Sequence, residues 1–247
     1  HQVFDGDDIF LRVLFFVFTG VLRYLCIHTS NRTDMADNYL ERKMEEYRNR
    51  TAAGQSGRRP LATLGRLLLK NRSHRGYDAN FIVREDQLRR IIAVNAKIPS
   101  ARNQQVLRFR PVLSDEAQKV LAHIRLGGAL PHLHLPLPGT EPNAFIIVCS
   151  TVEENRYVDI DLGISAQSML LQAAEIGLNG ICIGAFDKER IRQEFGLEWE
   201  PLLILAIGRG IEKIELVPIG ADGDRNYYRE NGTHYVPKVR PEELTIK

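Results

Sequence analysis

Helical and strand-like segments alternate from about residue 60 to the C-terminus, and this interspersion restricts the chain to a layered α/β or α+β fold. Periodicity predicts helices around 60–70 and 85–96, a strand at 106–113, a helix at 115–126 and a Pro-rich loop from Pro131 to Pro142. The apolar run Ala144–Thr151 reads as a strand. Asp161 is expected to cap a long helix that carries Leu162, Ala166, Met169, Leu170 and Ala173 on one face and stops at Gly177. A short strand at 181–184, a helix begun by Asp187 and stopped by Gly196, and strands Leu202–Gly208 and Ile211–Val217 complete the pattern.

Composition narrows the class. The 247 residues carry 33 Lys+Arg against 31 Asp+Glu, with 44% hydrophobic and 26% charged residues. That suits one large domain or two small ones and excludes a disordered, collagen-like or polytopic membrane chain. Cys26, Cys149 and Cys182 are odd in number and form no C-x-x-C pair, so neither a disulfide framework nor a zinc ribbon is expected, and a reducing, cytoplasmic setting is. Cys149 and Cys182 sit in apolar runs and read as inert core residues. Residues 1–34 read as an extension outside the fold. The apolar run Val13–Leu22 is too short to span a bilayer, and acidic Asp5, Asp7 and Asp8 stand where a secretory signal would be basic. Met35 resembles a natural start, residues 35–57 form a helical arm and linker, and 58–247 form the main domain.

Several chemistries lack their motifs. There is no Walker phosphate loop, and GLNG at 177–180 and GRG at 208–210 do not complete a dinucleotide fingerprint. No G-x-S-x-G elbow or H-E-x-x-H helix is present. His132 and His134 have no acidic or thiol partner at ligand spacing, so no metal is expected. Arg58, Arg59, Arg66, Lys70, Arg72 and Arg75 crowd into eighteen positions, but the balanced net charge favours a solvated face with a local anion site over nucleic acid. Trp199 is expected to pack at a turn.

Four stretches carry the sharper signal. They are NRSHRGYD at 71–78, PSARNQQVLRF at 99–109, DLGISAQSMLLQAAEIGLNGICIGAFD at 161–187 and HYVPKVRPEEL at 234–244. The first clusters two cations and a hydroxyl, Arg72, Ser73 and Arg75; the last alternates Lys238 and Arg240. In this order, over residues 65–247, they resemble the nitroreductase family of FMN-dependent oxidoreductases.

The resemblance implies an α+β fold, a three-layer sandwich with a central, mostly antiparallel sheet flanked by helices, assembled as an intertwined homodimer with the flavin at the subunit interface. It implies FMN as cofactor. The flavin's dianionic phosphate needs cations and its pyrimidine edge needs polar partners. By similarity Arg72, Lys238 and Arg240 would hold the phosphate, and Ser73, Arg75 and Asn103 would meet the pyrimidine edge and ribityl oxygens. Pro99, Ser100 and Gln105 belong to the same cofactor-binding set, as does the loop Ile183, Gly184, Ala185, where the Gly184 amide would reach flavin N5. Arg75 near N1 would stabilise charge gathering there on reduction. Asn71 stands where many members have a further Arg, Val106 and Leu107 replace the usual Pro-Trp, and Asn179 replaces a Gly. The activity implied is hydride transfer from NAD(P)H through flavin to a nitroaromatic, quinone or similar conjugated acceptor by a ping-pong route, with no side-chain nucleophile. An FMN-binding carrier or sensor, or a specialised flavin dehydrogenase or dehalogenase on the same fold, is the alternative. Neither a nucleic-acid nor a membrane partner is expected.

Overall fold

The computed structural model describes residues 63–126 and 135–246, all within the compact unit Leu61–Lys247. The extension at 1–34, the arm at 35–57, Cys26, His132 and His134 lie outside the described residues. In chain order the elements are α1 (Thr63–Lys70), α2 (Glu85–Ile92), β1 (Leu107–Val112), α3 (Ala117–Leu121), β2 (Ala144–Ser150), α4 (Arg156–Glu175), β3 (Asn179–Ile183), α5 (Lys188–Glu194), β4 (Glu200–Gly208), β5 (Lys213–Ile219), β6 (Tyr228–Glu230) and β7 (Thr233–Val239).

The β2 sequence AFIIVCS has no polar alternation, and every residue in it is buried, so both faces of its sheet are covered. The sheet order is β1-β2-β4-β3, with all neighbours antiparallel. Because strand side chains alternate, Ala144, Ile146 and Val148 face one way with Leu205 and Ile207, against Ala166, Met169 and Ala173 of α4 and Leu88 and Ile91 of α2. Phe145, Ile147 and Cys149 face the other way with Ile204 and Ala206, against Val120 of α3 and Ile191 of α5. Each large apolar side chain so buried contributes about 1.5–3 kcal/mol. The result is the α+β sandwich of helix, antiparallel sheet and helix. Trp199 packs against the second cluster.

Helix α4 starts earlier than its sequence suggests. Asn155 is the cap, its side-chain oxygen accepting the N–H groups of Tyr157 at 3.0 Å and Val158 at 3.4 Å. Asp161 therefore does not cap the helix: it lies inside it, 3% exposed, and turns its carboxylate to the 99–105 segment. Gly177 does end the helix, at φ +80°, with Leu178 N–H reaching the Ala173 carbonyl at 2.8 Å. The helix expected over 85–96 is α-helical only to Ile92 and finishes as the 3-10 turn Ala93–Ala96. That expected over 115–126 shrinks to Ala117–Leu121. Cys149 is buried, but Cys182, on the edge strand β3, is exposed.

A second, smaller sheet has the order β5-β7-β6. Strand β7 runs parallel to β5, with Ile214 opposite His234 and Pro218 opposite Lys238, and antiparallel to β6. Among the described residues no helix is long and apolar enough to cross a membrane.

Candidate functional site

The segment 71–78 crosses the edge of the main sheet and owes its path to main-chain hydrogen bonds. His74 N–H donates to the Gly180 carbonyl of β3 at 3.3 Å, Asp78 N–H to the Arg209 carbonyl at 2.8 Å, and the Gly76 carbonyl accepts from Ile211 at 3.2 Å. The crossing explains the glycines of GRG at 208–210. A Cβ on Gly208 would fall 2.6 Å from the Tyr77 ring, and one on Gly210 would fall 2.2 Å from His74 Nδ1. His74 and Tyr77 are buried along this stretch, 6% and 1% exposed, while Ser73 is exposed and Arg75 half-buried. Tyr77 anchors the fold-back by donating its hydroxyl to the His74 carbonyl at 2.9 Å, and burial pushes its phenol pKa far up.

Ser73, Arg75 and the preceding Asn71 and Arg72 form one wall of a cleft of about 370 Å³. Its floor is Gln167 and Leu170 of α4 and Cys182 of β3; the facing wall is Ile214, Tyr227, His234, Val236 and Lys238 from the small sheet. Residues 234, 236 and 238 share one side of β7 by strand alternation, which is why they line it together. Asn71 Nδ2 donates to Gln167 Oε1 at 3.3 Å across the floor.

The cleft is cationic and rich in unpaired donors. Arg72 and Arg75 each bury an Nε without a partner among the described residues, and His234, 3% exposed, buries an unpaired Nδ1. Burial lowers the pKa of Arg72. Burial, then the neighbouring Arg75 and Arg229, lowers that of His234 against the opposing pull of Glu212, which keeps the imidazole neutral near pH 7. Partial desolvation at the cleft floor raises the pKa of the Cys182 thiol, although the residue is open to the cleft. A cleft with two unsatisfied guanidinium N–H groups and a net positive rim suits an anionic ligand rich in acceptor oxygens.

The remaining site residues named from the sequence are divided among other places. Pro99, Ser100 and Gln105 line a separate cleft of about 210 Å³ beside Asp161, Ser165 and Phe109. Asn103 is drawn into local structure, its side-chain oxygen accepting from Gln105 Nε2 at 2.9 Å. Ala185 lines a third cleft of about 480 Å³ with His123, Arg125 and Phe186. The Ile183 side chain is committed to the core, 2% exposed, so only its main chain is free to serve. Gly184 is exposed, with open space where a Cβ would stand. Arg240 is turned to Glu243, Nη2 to Oε1 at 2.6 Å, and does not line the cleft with Lys238. Gln167, Tyr227 and His234 were missed by sequence reasoning. His234 was findable, four residues before Lys238 and thus on the same strand face; Gln167 and Tyr227 carry no comparable signal.

Comparison with known proteins agrees with this architecture. The family profile described as "Nitroreductase family" matches residues 132–209. MJ1384, a protein of Methanocaldococcus jannaschii assigned to the nitroreductases, is 39% identical over 57 residues, which is 23% of this chain and 29% of that protein's length. A nitroreductase family protein of Streptococcus pneumoniae superposes with a TM-score of 0.51 at 16% identity, covering 62% of this chain and 92% of that one. A nitroreductase-type protein of Exiguobacterium sibiricum, solved in complex with FMN, gives 0.50 at 18% identity over 62% and 91%. The matched segment is thus similar in sequence to the nitroreductase family, and the described chain has the fold of nitroreductase-family proteins.

Proposed function

We propose that the chain binds FMN in the cleft of Arg72, Ser73, Arg75 and Lys238 and acts as an NAD(P)H-dependent oxidoreductase. One observation carries the reading: side chains from opposite ends of the described chain, three of them cationic, gather around one cleft whose buried Arg72 Nε, Arg75 Nε and His234 Nδ1 have no partner among the described residues. That donor set fits a dianionic phosphate and a ring edge rich in carbonyl and imine acceptors. The FMN complex of the Exiguobacterium relative supports it.

When bound, FMN supplies the redox chemistry, taking hydride from NAD(P)H and passing electrons to a nitroaromatic, quinone or similar acceptor in two half-reactions. The chain's residues bind and tune. Arg72 and Lys238 neutralise phosphate charge, Ser73 offers a hydroxyl, and the Arg75 guanidinium favours negative charge developing beside it. The clefts at Pro99–Gln105 and at Ala185 are separate from the cationic one within a single chain. A homodimer in which each subunit lends residues to its partner's flavin would reunite them. The free Cys149 and Cys182 support a reducing, cytoplasmic setting.

The test is anaerobic spectroscopy of the purified full chain. FMN-loaded protein should absorb in the blue and bleach on adding NADH or NADPH, then recover with a quinone. Bound flavin that does not bleach would favour the carrier or sensor; no flavin binding at all would overturn the reading.

A further inference from the structure

Arg75 is held at three points. Its own main-chain N–H and that of Gly76 both donate to Glu212 Oε2, the latter at 3.2 Å. Its guanidinium lies over the Tyr227 ring, 4.9 Å from the centroid, and its Nη1 donates to the Ser73 carbonyl at 3.2 Å. Glu212 is itself fixed: its side chain is 8% exposed, Oε1 accepts from Arg229, and His74 Nδ1 stands 3.9 Å from Oε2. Tyr227 is fixed by edge-to-face contact with His234, centroids 5.1 Å apart. Apart from the Ser73 carbonyl and His74, this scaffold comes from outside the segment that bears Arg75: Glu212 precedes β5, Tyr227 precedes β6 and His234 lies in β7.

We propose that Glu212 and Tyr227 are positioning residues that set the main chain and the guanidinium of Arg75 before any ligand arrives. The assignment of what Arg75 then touches rests on the FMN reading above; the positioning itself does not. An unrestrained Arg side chain loses rotamer freedom when it engages a ligand, and a side chain already confined loses less, so the scaffold strengthens binding. A ring face holds a guanidinium in orientation while leaving its N–H edge free for a partner, as the unpaired Arg75 Nε requires.

The experiment uses the full chain with 15N-labelled arginine, free of flavin. The Arg75 Nε–H resonance, assigned by its loss in Arg75→Lys, should be shifted upfield by the Tyr227 ring and protected from exchange. Tyr227→Phe should keep the shift and Tyr227→Leu should abolish it. In parallel, Tyr227→Leu should weaken FMN binding about five- to ten-fold, Tyr227→Phe less than about two-fold, and Tyr227→Leu should add nothing in an Arg75→Met background. Glu212→Gln should shift the same resonance and weaken FMN in the same direction; if that variant does not fold, the Tyr227 pair decides. An unshifted wild-type resonance, or a Tyr227→Leu penalty equal in both backgrounds, would overturn the proposal. A shifted, Tyr227-dependent resonance in a chain that binds no FMN would retain the positioning and remove the cofactor reading, so the two fail separately.

Discussion

The Asp161 carboxylate, inside helix α4, accepts the main-chain N–H of Ala101 at 2.7 Å and so pins the Pro99–Gln105 segment to the sandwich. Its other oxygen accepts Gln104 Nε2 at 2.9 Å. Asp161→Ala would leave a half-buried N–H unpaired and should cost about 1–3 kcal/mol in urea unfolding. Asp161→Asn keeps an acceptor and should cost less. Equal stability of all three proteins would remove Asp161 from this role.

Gly210 is dictated by His74. With a Cβ only 2.2 Å from the buried imidazole, Gly210→Ala should destabilise the fold by about 1–3 kcal/mol, as overpacking does. The obstacle is a side chain, so Gly210→Ala should cost much less in a His74→Ala background than alone, a non-additivity that thermal or denaturant melts would read directly.

Stability should fall on acidification below about pH 6.5. Burial holds the pKa of both His74 and His234 below the ordinary 6.5, with Arg72 and Arg75 lowering the first further, Arg75 and Arg229 lowering the second, and Glu212 opposing both. Below 6.5 the unfolded chain binds protons that the folded imidazoles refuse, so the stability present above that pH is lost as pH drops toward their folded values. Urea midpoints at pH 7.5 and 5.5 check this. His74→Asn should flatten the dependence, and an unchanged slope in that variant would place the titration elsewhere.

Lys238 and Arg240 should part company. Lys238 lines the cationic cleft, whereas Arg240 is engaged with Glu243 at 2.6 Å, so Lys238→Ala should weaken FMN binding about ten-fold and Arg240→Ala about two-fold or less. Flavin fluorescence titrations at two salt concentrations would compare them; equal losses would return Arg240 to the phosphate site.

Which parts were legible follows from burial. The run AFIIVCS and the stripe Ala166–Met169–Ala173 announce themselves because they are fully covered in the sandwich. Strands β6 and β7 do not, since their mixed exposure and polar content give no clean alternation. The α4 cap was misplaced because Asp161 has the right chemistry for a cap while Asn155, in the polar run EENR, gives no contrast with its neighbours. In the candidate site, of the residues named from the resemblance, Arg72, Ser73, Arg75 and Lys238 share a cleft, whereas Arg240 and Asn103 do not line it. Glu212 was invisible: one of two acidic residues in IEKIE, its significance arises only from the path of a segment well over a hundred positions upstream.

The three-stranded sheet supplies Ile214, Tyr227, His234, Val236 and Lys238 to the cleft, yet the apolar clusters of the sandwich end at Ile207. Substitutions at its half-buried cleft-lining positions, Ile214, Tyr227 and Val236, should therefore disturb the sandwich less than those in its core, and should act on whatever ligand the cleft holds. Divergence among relatives, and laboratory selection for new acceptors, should concentrate its productive changes there.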